Sequence, residues 1–417
     1  MTHVRLKLAI LLSYVVFAVL LNSVGTVILQ SMAFFDVDKV AASTLEGFKD
    51  LPIAITSFFV ASLLPRFGYR RAMMVGLGIV AIACVAMPLV PSFWTTRLLF
   101  LATGVGFAVT KVSVYSFVGL LTDEPRAHAS LLNLIEGVFM LGVLSGYWLF
   151  SAFMDAGEVP TARWLDVYWI LAVASALCIA LLATTRFDES GARNADHSAS
   201  PAQDFVAMLR LGAQSLTIVF VVSVFLYVLI EQGIGTWLPT FNRELLGLSA
   251  PMSVQAASIF ATGLAVGRLG AGVIVRRTGW FSLLLGCLLA MGVLIAVALP
   301  LAEAAAGGTI TSWSDAPLAV FVLPMIGLFM APIYPVLNSA ILSAMPRSSQ
   351  SAMVGLIVVF SALGGTTGSL IVGRAFSEFG GNTAFYLLLL PIVALVGSIV
   401  VLRATLKQVR NDVARAE

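Results

Sequence analysis

Residues 65–71 read Pro-Arg-Phe-Gly-Tyr-Arg-Arg, and residues 276–280 read Arg-Arg-Thr-Gly-Trp. Each segment is a short basic stretch around a glycine, and each follows a long apolar run. Gly68 and Gly279 lie about half a chain apart, which indicates an internal duplication. The sequence therefore predicts two halves built on the same plan.

The chain as a whole is apolar enough to indicate a membrane protein. Of its 417 residues, 59% are hydrophobic and 11% are charged, and the mean hydropathy is +1.00. The apolar runs are continuous over roughly 20 residues, the length of a spanning helix. Strands of a membrane barrel would instead alternate in segments of about 10 residues. We therefore expect an all-α membrane protein whose backbone polar groups are paired within helices.

Twelve runs are long enough to span a bilayer, and with the duplicated loop they predict two pseudo-symmetric six-helix halves. The halves are residues 1–185 and 212–417, and the polar segment 186–211 is interpreted as a flexible cytoplasmic linker. The predicted spans are residues 8–33, 43–64, 72–91, 96–121, 128–153, 166–184, 212–239, 252–274, 281–301, 317–343, 352–375 and 383–403.

The distribution of basic residues predicts the orientation in the membrane. Sixteen Lys and Arg residues fall on the side that the two termini share, and four fall on the other, namely Lys39, Arg97, Arg163 and Arg243. The positive-inside rule then makes both termini cytoplasmic. We expect a multi-pass protein of the inner membrane. The net charge of +3 is spread over short loops and does not suggest a nucleic acid partner.

Three charged residues occur near the start of the second predicted span. Glu46, Lys49 and Asp50 are three and four residues apart, a spacing that puts them on one helical face. Ionisable side chains at membrane depth face a bundle interior or a water-filled cavity, so this face is a candidate transport pathway. We expect one carboxylate to join a charge set shared with other spans, and Lys49 to satisfy the other.

Lys111 lies near the middle of the fourth span, too far from either end to reach water along the helix. We therefore expect Lys111 to be balanced by Glu136 in span five and by one carboxylate of span two, Glu46 or Asp50. Two interpretations stay open: a permanent buried ion pair, or a set that binds protons or a ligand. In the second, desolvation and a neighbouring ammonium act oppositely on a carboxylate, which places its titration near neutral pH.

Other polar residues inside the spans belong either to the same pathway or to contacts between helices. Glu231 and Gln232 in span seven are cavity candidates, and the alternative for Glu231 is a packing pair with an Arg. Uncharged candidates suit a hydroxylated or zwitterionic solute or serve as interhelical hydrogen bonds. They are Asn22, Gln30, Tyr115, Asn133, Tyr334 and Asn338.

These features together resemble the major facilitator superfamily, whose halves carry a basic, Gly-containing loop after their second helix. Residues 65–71 look like a form of that loop without its acidic residue. Three segments are similar to the fucose/proton symporter branch. They are Leu132-Asn133-Leu134-Ile135-Glu136-Gly137, Val266-Gly267-Arg268-Leu269-Gly270 and Ile333-Tyr334-Pro335-Val336-Leu337.

The resemblance implies a substrate site near the midplane between the halves and alternating access to it. It also implies a gating role for basic residues at the cytoplasmic ends, namely Arg66, Arg70, Arg71, Arg268 and Arg276. The coupling carboxylates of that branch fall near Thr26 and at Lys111 in this chain. Proton coupling therefore does not carry over position by position.

The sequence as a whole predicts a monomeric, proton-coupled secondary active transporter of a small polar solute, sugar-like by resemblance. A transporter of an organic anion or zwitterion that uses Lys111 is the alternative, and a drug/proton exporter is a third interpretation. We expect no enzyme activity, because no nucleophile constellation is present. Cys84, Cys178 and Cys287 lie in apolar runs, and no Walker-type motif occurs, so we expect no metal site, cofactor or ATP drive.

Overall fold

The computed structural model describes residues 2–121, 124–157, 160–185, 201–305, 310 and 312–416. Helices form almost all of this part of the chain. Its one element of extended pairing is a single bridge between Leu248 and Ile310. The predicted all-α fold class is confirmed.

The chain divides into two compact units, Met1–Pro201 and Ala202–Glu417. In the first unit α1 packs against α6 and α7, α3 packs against α5, and α4 packs against α5 and α7. A short 3-10 helix, Ala162–Asp166, precedes α7. The helices of this unit are α1 (Thr2–Asn22), α2 (Val24–Phe35), α3 (Lys39–Phe67), α4 (Tyr69–Leu89), α5 (Phe93–Leu121), α6 (Pro125–Ala152) and α7 (Val167–Thr184).

The second unit contains long apolar helices together with several short ones. Its α9 runs along α15 and α16, and α10 packs against α13. The helices are α8 (Pro201–Gly212), α9 (Ser215–Glu244), α10 (Ala250–Thr278), α11 (Trp280–Ala304), α12 (Ala319–Val322), α13 (Ile326–Met330), α14 (Ile333–Ala344), α15 (Arg347–Leu387) and α16 (Leu389–Ala416).

The end of the predicted linker is helical. Residues 186–200 lie outside the described part of the chain, but Pro201–Gly212 forms α8. The predicted boundaries at residues 185 and 212 stay a prediction.

The two basic loops have the same backbone geometry. Gly68 separates α3 from α4 with φ 95°, and Gly279 separates α10 from α11 with φ 76°. Residues that carry a Cβ atom rarely adopt these positive φ values, whereas glycine does so without steric penalty. The basic segment that recurs in the sequence therefore forms a similar sharp turn in each unit.

Helices run through all twelve predicted segments. Ten stretches of the described residues are long and apolar enough to cross a membrane. One of them, Ala352–Gln408, contains two successive helical segments because the backbone turns at Gly380 (φ 81°). The helix α3 is not among the ten, and it is the helix that carries Glu46, Lys49 and Asp50.

Regular α-helical hydrogen bonding is interrupted near the middle of two predicted spans. The first is interrupted at Ser23, whose amide and hydroxyl both donate to the Leu20 carbonyl, at 3.3 and 2.8 Å. The tenth consists of α12, a 3-10 turn, α13 and α14, and Ala331 and Pro332 keep right-handed helical φ/ψ values between the last two. Local 3-10 adjustments of this kind are tolerated in spanning helices because neighbouring groups satisfy the freed backbone atoms.

Candidate functional site

The charged residues of α3 form a buried cluster, called here the α3 triad (Glu46, Lys49 and Asp50). The Lys49 ammonium donates to Glu46 Oε1 and lies 3.4 Å from Asp50 Oδ1. The side chains of Lys49, Glu46 and Asp50 are 6%, 0% and 12% exposed. The predicted helical face therefore exists, and Lys49 contacts both of its carboxylates.

The α3 triad also contacts the interruption in the first span. Lys49 Nζ lies 3.5 Å from the carbonyl oxygen of Leu21, at the end of α1. A Cβ at Gly104 of α5 would collide with the Lys49 carbonyl, so α5 also approaches α3 closely here. The triad is thus enclosed between two helices.

A second group of polar residues lies where α5 meets α6, and we call it the α5/α6 set (Lys111, Tyr115 and Glu136). The Tyr115 hydroxyl donates to Glu136 Oε1 at 3.3 Å. Lys111 Nζ lies 5.7 Å from the centre of the Phe107 ring, within the range of a cation–π contact. All three side chains of the set are exposed, as is that of Asn133.

The structure differs from the expected pairing of Lys111. Within the described residues, Lys111 forms no ion pair with Glu136, Glu46 or Asp50, and it lies over an aromatic ring instead. The α3 triad meets α5 at Gly104, seven residues before Lys111, which is about 10 Å along the helix axis. The two groups therefore lie at different depths and do not form one set.

Asn22 and Gln30 occupy different surroundings. Asn22 is exposed at the end of α1, where its amide donates to the Ala18 carbonyl at 2.9 Å. Gln30 is buried in α2, with 6% of its surface exposed. The interruption at Ser23 lies between the two residues.

The second unit has a polar cluster of its own around Glu231. Tyr227 donates to Glu231 Oε1 at 3.0 Å, and an Arg268 nitrogen lies 3.9 Å from the same oxygen. The Tyr227 ring lies 5.7 Å from that of Tyr334, whose hydroxyl is 3.2 Å from Ser361 Oγ. The sequence left two interpretations of Glu231 open, a cavity residue or a packing pair with an Arg, and its contact with Arg268 corresponds to the second.

The remaining candidates of this unit lie close to that cluster along the chain. Gln232 follows Glu231 and is half-buried, and Asn338 lies one turn after Tyr334 and is also half-buried. Tyr227 was missed by the sequence analysis. Its position four residues before Glu231, on the same helical face, is the signal that would have identified it.

The basic residues proposed as gates lie near helix ends, with one exception. The Arg70 guanidinium donates to the Thr185 carbonyl at the end of α7, and Arg71 and Arg276 are exposed. The side chain of Arg66 lies outside the described part of the structure. Arg268 is the exception, because it belongs to the Glu231 cluster inside α10.

No cluster of His, Cys, Asp and Glu suited to a metal ion occurs among the described residues. The three cysteines are buried free thiols.

A family model described as Major Facilitator Superfamily matches residues 8–369. The chain belongs to the major facilitator superfamily. A glucose/galactose transporter of Brucella abortus biovar 1 (strain 9-941) is 27% identical to this superfamily member over 357 residues, covering 81% of this chain and 79% of that relative.

Solved transporter structures share the fold of this superfamily member. A mutant form of the nucleoside transporter NupG matches with a TM-score of 0.76 at 14% identity, covering 95% of this chain and 99% of that one. The transporter FucP in its outward conformation matches with a TM-score of 0.58 at 15% identity, covering 96% and 99%. The fold expected from the resemblance is confirmed, and the protein is a multi-pass membrane transporter and not an enzyme.

Proposed function

We propose that this protein is a proton-coupled symporter of a small, neutral, sugar-like solute that works by alternating access. It acts as a monomer in the inner membrane, with both termini in the cytoplasm. Protons are its coupling ion, and Glu136 is the side chain that binds them. The observation that carries the proposal is the exposed Glu136 carboxylate inside a spanning helix, held by a phenol and not by an ammonium.

The surroundings of the carboxylates support Glu136 over the α3 triad as the proton-binding site. Glu46 is buried and Asp50 is half-buried, and the Lys49 ammonium contacts both carboxylates. Glu136 is exposed and accepts from a neutral phenol, with no ammonium at ion-pair distance among the described residues. An ionisable side chain exposed at membrane depth faces water in preference to lipid, so Glu136 can exchange protons with a water-filled cavity.

The composition of the exposed face supports a sugar-like substrate. Lys111, Tyr115, Asn133 and Glu136 offer donors and acceptors beside the half-buried ring of Phe107. Small-molecule sites combine apolar and aromatic walls with a few well-placed polar groups. The Brucella relative, named a glucose/galactose transporter, agrees with this class.

Further residues have secondary roles in the proposal. We assign Asn22, Gln30, Glu231, Gln232, Tyr334 and Asn338 to the substrate pathway because each is a polar residue in an apolar helix. The α3 triad, Glu46, Lys49 and Asp50, stabilises the interruption in the first span. The basic residues Arg66, Arg70, Arg71, Arg268 and Arg276 act in gating.

Uptake into proteoliposomes tests this function. With a proton gradient imposed, the wild-type protein should accumulate radiolabelled D-glucose or D-galactose above equilibrium, whereas Glu136→Gln should only equilibrate it. Counterflow exchange without a gradient should persist in the variant, which shows that it folds and binds. Glu378→Gln, which removes an exposed carboxylate paired with Arg374, is the matched control and should accumulate normally. Equal accumulation by Glu136→Gln would contradict the proposal.

A second candidate function is transport of an organic anion or zwitterion. The observation that favours it is the exposed Lys111 ammonium, which has no carboxylate at ion-pair distance among the described residues. A thermal-shift screen of sugars, organic acids and amino acids separates the two functions. Stabilisation by carboxylates that disappears in Lys111→Ala would favour this candidate, whereas stabilisation by sugars that persists there would exclude it.

A further inference from the structure

Tyr14 of α1 is a buried residue whose hydroxyl has no partner. Its side chain is 1% exposed, and the described residues offer its hydroxyl no hydrogen bond. Buried polar groups are nearly always paired, so the Tyr14 hydroxyl is available to a partner that another state of the protein brings to it. Nothing in the sequence distinguishes Tyr14 as a functional residue, because a single Tyr in an apolar run is typical of a packed core.

Ring contacts place Tyr14 between the two helices of the α5/α6 set. Its ring centre lies 6.3 Å from that of Phe107 in α5 and 5.9 Å from that of Phe139 in α6. Phe107 lies one turn before Lys111 and two turns before Tyr115, and Phe139 lies one turn after Glu136. The Tyr115 phenol and the Glu136 carboxylate both interact electrostatically with the Tyr14 hydroxyl.

The Glu136 carboxylate has room for a second donor. A carboxylate accepts up to about four hydrogen bonds, and Tyr115 supplies one at 3.3 Å, longer than the usual range of about 2.5–3.0 Å for a hydroxyl donor. Two titratable groups on neighbouring helices interact with Glu136, namely Tyr115 on α5, which donates to it, and Tyr14 on α1, which interacts with it electrostatically. Lys111 lies one turn before Tyr115 on α5.

We propose that Tyr14 is a positioning residue for Glu136, and that its hydroxyl donates to the Glu136 carboxylate when Tyr115 releases it. Glu136 would then move between two phenols as access to the cavity alternates, and each phenol would stabilise its ionised form in one state. This inference rests on the proposed role of Glu136 in proton coupling.

The substitution Tyr14→Phe tests this role because it removes one oxygen and keeps the ring contacts. Tyr168→Phe is a matched control, since Tyr168 is also buried and its hydroxyl is also unpaired among the described residues, but its ring packs on Phe150 and Trp164. We expect the midpoint of pH-dependent uptake to rise by about one unit in Tyr14→Phe, because the ionised carboxylate loses a donor. The midpoint should not move in Tyr168→Phe.

Infrared difference titration in lipid gives a second readout that does not depend on transport. The carboxyl band that Glu136→Gln removes should titrate at higher pH in Tyr14→Phe than in the wild type. An unchanged band and an unchanged uptake midpoint in Tyr14→Phe, beside loss of accumulation in Glu136→Gln, would overturn the role of Tyr14 alone. Normal accumulation in Glu136→Gln would overturn the proposed function and this inference with it.

Discussion

The first unit holds two groups of charges that differ in burial and in pairing. In the α3 triad an ammonium lies between two carboxylates, and the side chains are at most 12% exposed. In the α5/α6 set the ammonium and the carboxylate are both exposed, and each contacts a neutral aromatic side chain. Charge inside a span therefore occurs in two arrangements here: the α3 triad is enclosed and internally paired, whereas the α5/α6 set, which we propose binds solute and protons, is exposed.

The largest effect is expected from Lys49→Met, which leaves two carboxylates buried without their ammonium. Removing one partner of a buried ion pair costs about 3–5 kcal/mol, and the contact with the Leu21 carbonyl at the interruption in the first span is lost as well. Thermal unfolding in detergent measures this loss. Lys111→Met is the control and should unfold close to the wild-type temperature. Equal loss in both variants would remove the distinction between the two groups.

A smaller difference in stability is expected between Glu46→Gln in the α3 triad and Glu136→Gln in the α5/α6 set. Glu46→Gln keeps the shape but removes a fully buried charge beside Lys49, and we expect a loss of about 2 kcal/mol. Glu136→Gln keeps an acceptor for the Tyr115 hydroxyl on an exposed side chain, and we expect a loss below about 0.5 kcal/mol. Unfolding curves of the two variants, recorded side by side, test this order. The reverse order would mean that Glu136 is the structural carboxylate.

A loss of stability smaller than that of Glu46→Gln is expected from Tyr115→Phe. It removes one partly exposed hydrogen bond, which contributes about 0.5–1 kcal/mol, and it should raise the pH midpoint of uptake. Tyr227→Phe removes a comparable bond to Glu231, but Arg268 stays beside that carboxylate, so its uptake profile should keep the wild-type midpoint. If neither profile shifts, the phenol of Tyr115 does not control the charge of Glu136.

Much of the fold follows from the sequence because hydropathy and the repeated basic loop are local signals. The helical face of Glu46, Lys49 and Asp50 also follows from spacing alone. The partner of Lys111 does not, since it depends on how α3, α5 and α6 are aligned, which close packing at Gly104 decides. The interruption at Ser23 could not be predicted, because no proline marks it in the sequence. Tyr14 could not be selected from the sequence either, because only the structure shows that its buried hydroxyl has no partner among the described residues.

Substrate-evoked proton movement is the most direct test of the central claim that Glu136 carries the coupled proton. Proteoliposomes that enclose a pH indicator, with no imposed gradient, receive external D-glucose or D-galactose. We predict that the lumen acidifies with wild-type protein and with Glu378→Gln, and that it does not acidify with Glu136→Gln although exchange of labelled sugar continues. Acidification by Glu136→Gln at the wild-type rate would contradict the claim.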